Sequence, residues 1–355
     1  MRPSSPRVRK GHRVLAPRSA EAHLHYARLQ AVADKHRPAF KRAYLAGVRA
    51  LRAKLPLDLL AQAASDPHAE SRIMALVTST PVLKDAGLAA AAMSQITEMY
   101  QNLLYQGAKE ADTTDAAELE DLAMPVFTLT MESPLVVAYA QKMAATMVTE
   151  VTTETQAAIR QIIADAAQNG VHPYDQAKQI LQLIGLHSSQ ARAVQRYATE
   201  LDPGLKTEVA DRMINRYADR LLDNRAETIA RTETIRAANM GVRMGGDALL
   251  DTPGFTPDDL KYVWIVTPDD ALCDECESME TGEPTDDTPP LHPNCRCCLA
   301  RLVPDVEELS ARLDAQEEAR SALGDDGSPV EEAPTEEPEP TVAEDVSYDE
   351  EPAEE

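Results

Sequence analysis

All five cysteines of this 355-residue chain fall between Cys273 and Cys298. Any crosslink, covalent or through a metal, therefore ties one short segment together and leaves the rest of the chain to an ordinary apolar core. The spacing is Cys273-x2-Cys276, eighteen residues, then Cys295-Arg-Cys297-Cys298, with His292 three before Cys295. A Cys-x2-Cys knuckle presents two thiolates to one ion. A second knuckle across a hairpin completes a tetrahedron, and zinc is its usual occupant. Cys295 and Cys298 are a literal second knuckle. If that stretch is already strand, Cys295 and Cys297 share a face and Cys298 points away. The third and fourth ligands stay open among His292, Cys295, Cys297 and Cys298. The competing reading is one or two disulfides, or free thiols in a small hairpin core. An odd thiol count in a chain without a recognisable secretory leader favours metal.

The remainder reads as helix. Ala and Leu dominate the 43% apolar content, while aromatics are 4%, a composition suited to packed helices. A helical pattern begins at Ala20, and Pro38 is expected to kink or break it. Shorter helices follow over 56–132, punctuated by Pro56, Pro67, Pro81 and Pro125. A long helix is expected from Ser133 to about Gln168, stopped by "NGVHP". Two short helices follow, one ending at Gly185 and one capped by Ser188 or Ser189. Helices over 205–222 and 224–246 come next, the second carrying Ile229, Ile235, Ala238 and Val242 as an apolar stripe and ended by Gly245-Gly246. Only then does the period change. "LKYVWIVT" (260–267) is the best strand, and "CRCCLARLV" (295–303) is its expected partner. The fold class is mainly α: an extended helical body, a small C-terminal β-hairpin bearing the cysteine/histidine module, and disordered termini. No run is long and apolar enough to span a bilayer.

Charge separates the ends. Residues 1–54 hold fourteen Lys/Arg against Glu21 and Asp34, whereas 304–355 hold twenty Asp/Glu against Arg312 and Arg320. The expected order is a basic arm (1–19), a helical region (20–159), a domain over 160–303, a helix (304–323) and an acidic tail (324–355). Such ends suit interaction, and 1–54 could contact DNA phosphates without sequence preference.

Catalysis finds little support. The chain lacks His-Glu-x-x-His and lacks the His-x-Glu that zinc deaminases place ahead of Pro-Cys-x-x-Cys. No Cys–His pair has an evident orienting group. Within "RAETIARTETIRAANMG", Glu227 and Arg231 stand four apart, a favourable helical pair. The first knuckle and the loop after it carry seven acids, Asp274, Glu275, Glu277, Glu280, Glu283, Asp286 and Asp287, which argues against phosphate binding there.

Three blocks together, "RAETIARTETIRAANMG", "VWIVTPDDALCDECESMETGE" and "PPLHPNCRCCLARL", closely resemble the phage head morphogenesis family, minor head proteins of the phage Mu protein F type. The matching positions are Ile229, Ala230, Arg231, Thr232, Glu233, Asn239 and Gly241 in the helix. Trp264 and Asp269 follow, then Cys273, Cys276 and Gly282, then His292, Asn294, Cys295, Arg296 and Cys297. The resemblance covers roughly 160–302 and is sharp from 225 onward. It departs at Ala271, where relatives commonly carry Arg two before the first Cys, and in the extra Cys298. It implies a non-enzymatic virion protein in few copies, associated with the portal, and possible contact with scaffold or major capsid protein. It also implies assembly in the host cytoplasm and a part in DNA packaging or delivery. The ligand candidates under it are Cys273, Cys276, His292, Cys295 and Cys297, with Cys298 as a possible addition.

Overall fold

The computed structural model describes residues 20–78, 93–120, 129–250, 255–268, 272–302 and 306–321. The expected basic arm, the acidic tail, Pro81, Pro125, Asp269 and Ala271 lie outside the described residues.

Helix α1 (Ala20–Lys54) runs through Pro38, so of the expected kink or break the break does not occur. Pro38 forfeits one backbone hydrogen bond and adds a clash worth ~3 kcal/mol. Leu29, Val32 and Ala33 before it and Phe40, Ala43, Tyr44 and Val48 after it are all buried. At ~1.5–3 kcal/mol for each large side chain, that burial outweighs the proline. Helices α2 (Leu57–Ala64), α3 (Ala69–Thr78) and α4 (Met93–Glu120) follow. Helix α5 (Pro134–Asn169) starts on its proline and ends at Gly170 with φ 63°, as the Asn-Gly breaker requires. Helix α6 (Pro173–Leu183) precedes α7 (Ser188–Glu200). The cap of α7 is His187, in a reciprocal box with Gln190, rather than either serine.

The two helices expected over 205–246 are one, α8 (Thr207–Leu249). No proline interrupts it, and Gly245-Gly246 sit inside it. Its glycines serve packing instead. A Cβ on Gly241 would stand 2.2 Å from Leu104 O of α4, and one on Gly107 of α4 would stand 2.2 Å from Ala238 O of α8. Two bare backbones thus let α4 and α8 approach closely. Glu227 does not pair with Arg231 in sequence. It takes Arg37 at 3.1 Å and Lys41 at 3.2 Å across to α1.

Strands β1 (Lys261–Ile265) and β2 (Cys298–Leu302) are antiparallel, with Lys261 opposite Leu302 and Ile265 opposite Cys298. Strand β2 begins three residues later than expected. A four-residue helix, α9 (Asp274–Glu277), lies between the strands. Helix α10 (Val306–Ser321) matches the helix expected over 304–323. Residues up to Ser310 form one unit and those from Ala311 a second.

Three apolar clusters organise the body. One joins the second half of α1 with α2, α3, α5, α6, α7 and the first half of α8. One joins α1, α4, α5 and α8. The third packs Ala22, Leu29 and Ala33 of α1 and Ile235, Ala238 and Val242 of α8 onto the sheet. Val263 and Ile265 of β1 belong to that third cluster. Trp264 and Val266 belong to a fourth, with Cys276, Cys295 and Cys297. Strand alternation therefore places the sheet between the helices and the thiols.

Candidate metal centre

Each thiol is placed by a local device. Cys273 caps α9, and its sulfur accepts the Cys276 amide at 3.4 Å. The two sulfurs of the first knuckle thereby turn to one side. The "HPNC" turn closes by Cys295 N donating to His292 O at 3.1 Å, with Asn294 in the left-handed region at φ 63°. Asn accepts that conformation more readily than most residues. This turn delays β2 to Cys298 and puts Cys295 and Cys297 on the knuckle side.

The donors converge. His292 Nε2 lies 3.1 Å from Cys273 Sγ and 3.2 Å from Cys276 Sγ, and Cys276 Sγ lies 3.6 Å from Cys295 Sγ. Cys297 completes a second triad with Cys276 and Cys295. A tetrahedral zinc with ~2.3 Å sulfur bonds sets its sulfurs about 3.8 Å apart, close to the Cys276–Cys295 separation. The imidazole is fixed for ligation. Its Nδ1 lies 2.9 Å from Pro293 O, which as acceptor takes the ring proton and leaves Nε2 facing the thiols. The residues present can hold a metal ion.

The sulfurs are electrostatically unequal. Hydrogen bonding from the Cys297 thiol, then from the backbone amides of Cys297 and Leu291, overcomes burial and draws the Cys295 thiol down to about 5. The Cys273 thiol is lowered chiefly by the Cys276 amide. Burial, with the neighbouring Cys295 charge, pushes Cys276 up to about 12. Cys297 is raised because it donates to Cys295 and is buried. These surroundings favour the thiolate most at Cys295 and oppose it at Cys276 and Cys297. A cation is what lets all of them ionise together.

Cys298 stands apart. It belongs to the cluster beneath the sheet. Its sulfur lies 3.5 Å from Gln30 Nε2 of α1, and burial raises its pKa to about 12. It joins neither triad among the described residues.

The helix motif clamps the module from below. Asn239 is fully buried. Its Oδ1 accepts Leu299 N at 2.9 Å and its Nδ2 donates to Cys297 O at 3.1 Å. Thr232 Oγ1 accepts Asn294 N at 3.0 Å. Glu233 receives the Tyr100 hydroxyl at 2.7 Å and Arg236 at 2.5 Å, which ties α4 to α8. Trp264 is buried beside the thiol cluster, its indole N–H directed at the Cys297 thiol. The Arg296 carbonyl takes Gln30 Nε2 at 2.8 Å. Arg231, expected in a charged pair, has its Nε buried without a partner.

Sequence reasoning did not reach Gln30 and His25. His25 Nε2 meets Leu299 O at 2.9 Å, so α1 grips both sides of the Cys298 position. Nothing in the spacing of residues so far apart signals that contact. Arg243 was also unforeseen. It fans over the carbonyls of Asp286 and Asp287 and the Thr288 hydroxyl while its guanidinium covers the Tyr262 ring. It thus holds the acidic loop in shape.

No protein-family model matches the chain, and no curated protein and no solved structure matches it either. None of the helices described is long and apolar enough to cross a membrane.

Proposed function

We propose that this chain is a minor head protein of a tailed bacteriophage that associates with the portal during procapsid assembly. In this reading Cys273, Cys276, His292 and Cys295 hold one structural zinc ion. The observation that supports it most is convergence. The three sequence blocks of the resemblance meet at one place, through Asn239 on Cys297 and Leu299, Thr232 on Asn294, and Trp264 against the thiols. Each of those residue types has a physical task there, and the tasks interlock. The zinc closes the segment between the two strands on itself, while Asn239 and Thr232 hold that segment to α8; for such a structural role four protein ligands suffice. The chain acts by binding and assembly, not by catalysis.

A nucleic-acid-binding ribbon is the weaker reading. Asp274, Glu275, Glu277, Glu283, Asp286 and Asp287 are all exposed around the module, and they repel phosphates. Three of the basic side chains of 20–54, Arg37, Lys41 and Arg52, are committed to acids of α8. The test is co-expression with the portal protein encoded by the same genome, followed by sedimentation. The expected result is co-migration with portal rings at low salt. A chain that stays at the top of the gradient while folded and zinc-loaded overturns the assembly role.

A further inference from the structure

Beside the motif helix lies a second feature that the assembly reading does not use. A cavity of about 400 Å³ opens where α5, α7, α8 and the Pro293 turn meet. Its charged members are two arginine–carboxylate pairs, Arg225 with Glu154 and Arg236 with Glu233.

The two pairs differ in build. Glu233 is buried, and both of its oxygens are engaged, by Tyr100 and Arg236. Arg225 has a 7% exposed side chain, whereas its partner Glu154 is 43% exposed. The guanidinium is thus held inside the fold while its carboxylate reaches solvent. Arg225 is also under-used. Its Nε and Nη1 are buried. Tyr44 donates to Gly185 O at 3.1 Å, and its oxygen can accept from one of these two nitrogens, which leaves the other without an acceptor. A buried guanidinium with unmet donors is costly unless an acceptor completes it. The N-terminus of α7, with Ser189 and Gln190, borders the same space, and its dipole favours negative charge.

We propose that this cavity is a carboxylate-binding site in which Glu154 acts as the resident stand-in. An incoming carboxylate takes the Arg225 fork as Glu154 swings into solvent. Met147, Ile229 and Pro293 line the space for a short aliphatic stem. The four ionised groups sum to no net charge, and the two glutamates repel a polyanion. A single carboxylate replaces one already there, whereas a phosphate chain meets both. The ligand is therefore a carboxylic acid, free or on an acidic peptide, and not nucleic acid. The site does not depend on the zinc or portal reading.

The experiment is calorimetric titration of the full-length protein with glutarate, with a blocked Glu-Ala-Glu peptide, with inorganic phosphate and with a short DNA duplex. Glu154→Gln is compared with the parent protein. The half-exposed glutamate leaves the fold intact on replacement, and carboxylate affinity is expected to tighten about threefold once the competitor is neutral. Arg225→Gln is expected to abolish binding, and if it does not fold the Glu154→Gln gain still decides. Tighter binding of the peptide identifies a protein partner, and tighter binding of glutarate a free acid. Either supports the site. No carboxylate binding by folded Glu154→Gln, an unchanged affinity in that variant, or equal binding of phosphate or duplex overturns it.

Discussion

Replacing Asn239 by Ala probes the clamp between motif helix and hairpin. Asn239 is fully buried and satisfies two backbone groups of the other element, Leu299 N–H and Cys297 C=O. The alanine removes both partners and lets in no compensating group. Each orphaned group costs ~1–3 kcal/mol, and the missing amide leaves a small void. The loss is about 3–5 kcal/mol. For a folded body of this size each kcal/mol moves the melting temperature by roughly 2–4 °C, so Tm should fall by about 10 °C. The assay is thermal unfolding followed by circular dichroism, with zinc and protein concentrations held equal, supported by urea titration. A shift below ~1 kcal/mol, about 3 °C, would refute the reasoning, because it would mean that the strand end does not depend on the side chain.

Gly241→Ala should destabilise by roughly 3 kcal/mol or more, since its Cβ would meet Leu104 O at 2.2 Å and backbone cannot step aside; denaturant unfolding measures this. Cys298→Ser should cost stability but keep a full complement of metal, whereas Cys273→Ser should lose it, as read by elemental analysis of purified protein. Burial lowers the proton affinity of His25, aided by Arg28 and Arg301 and opposed by its bond to Leu299. Its folded value lies below the ordinary 6.5, so the unfolded chain takes up the proton first. Stability is full above that pH and falls as pH drops below it. His25→Gln should flatten the slope between pH 6.5 and 5 relative to the parent in parallel urea titrations.

Much of this structure was readable in the residues themselves. The β-branched and aromatic run at 261–265 stood out against helix, and Asn169-Gly170 stopped α5 where its chemistry requires. The gathering of Cys273, Cys276, His292, Cys295 and Cys297 followed from knuckle spacing, which left open the third and fourth ligands, and Cys298 was separable by strand alternation. What escaped was tertiary. Pro38 sits in a helix because the residues on both sides are buried against the same body. Gly245-Gly246 read as a stop, yet Gly246 makes room for Tyr262, whose hydroxyl a Cβ would meet at 2.0 Å. Glu227 had a good partner in sequence and a better one on α1. The cap of α7 is a histidine ring, outside the usual set of small polar caps. Asn239, Gln30 and His25 act through contacts with residues far along the chain, which no local pattern encodes.

The central claim is that the thiol–imidazole cluster is a zinc clasp. Zinc X-ray absorption on protein produced in a reducing cytosol, with stoichiometry determined on the same sample, tests it most directly. The expected result is about one zinc per chain in a shell of three sulfurs at ~2.3 Å and one nitrogen at ~2.0 Å. Substoichiometric zinc, or a shell of oxygen and nitrogen alone, would contradict it and leave the cysteines as a thiol or disulfide core.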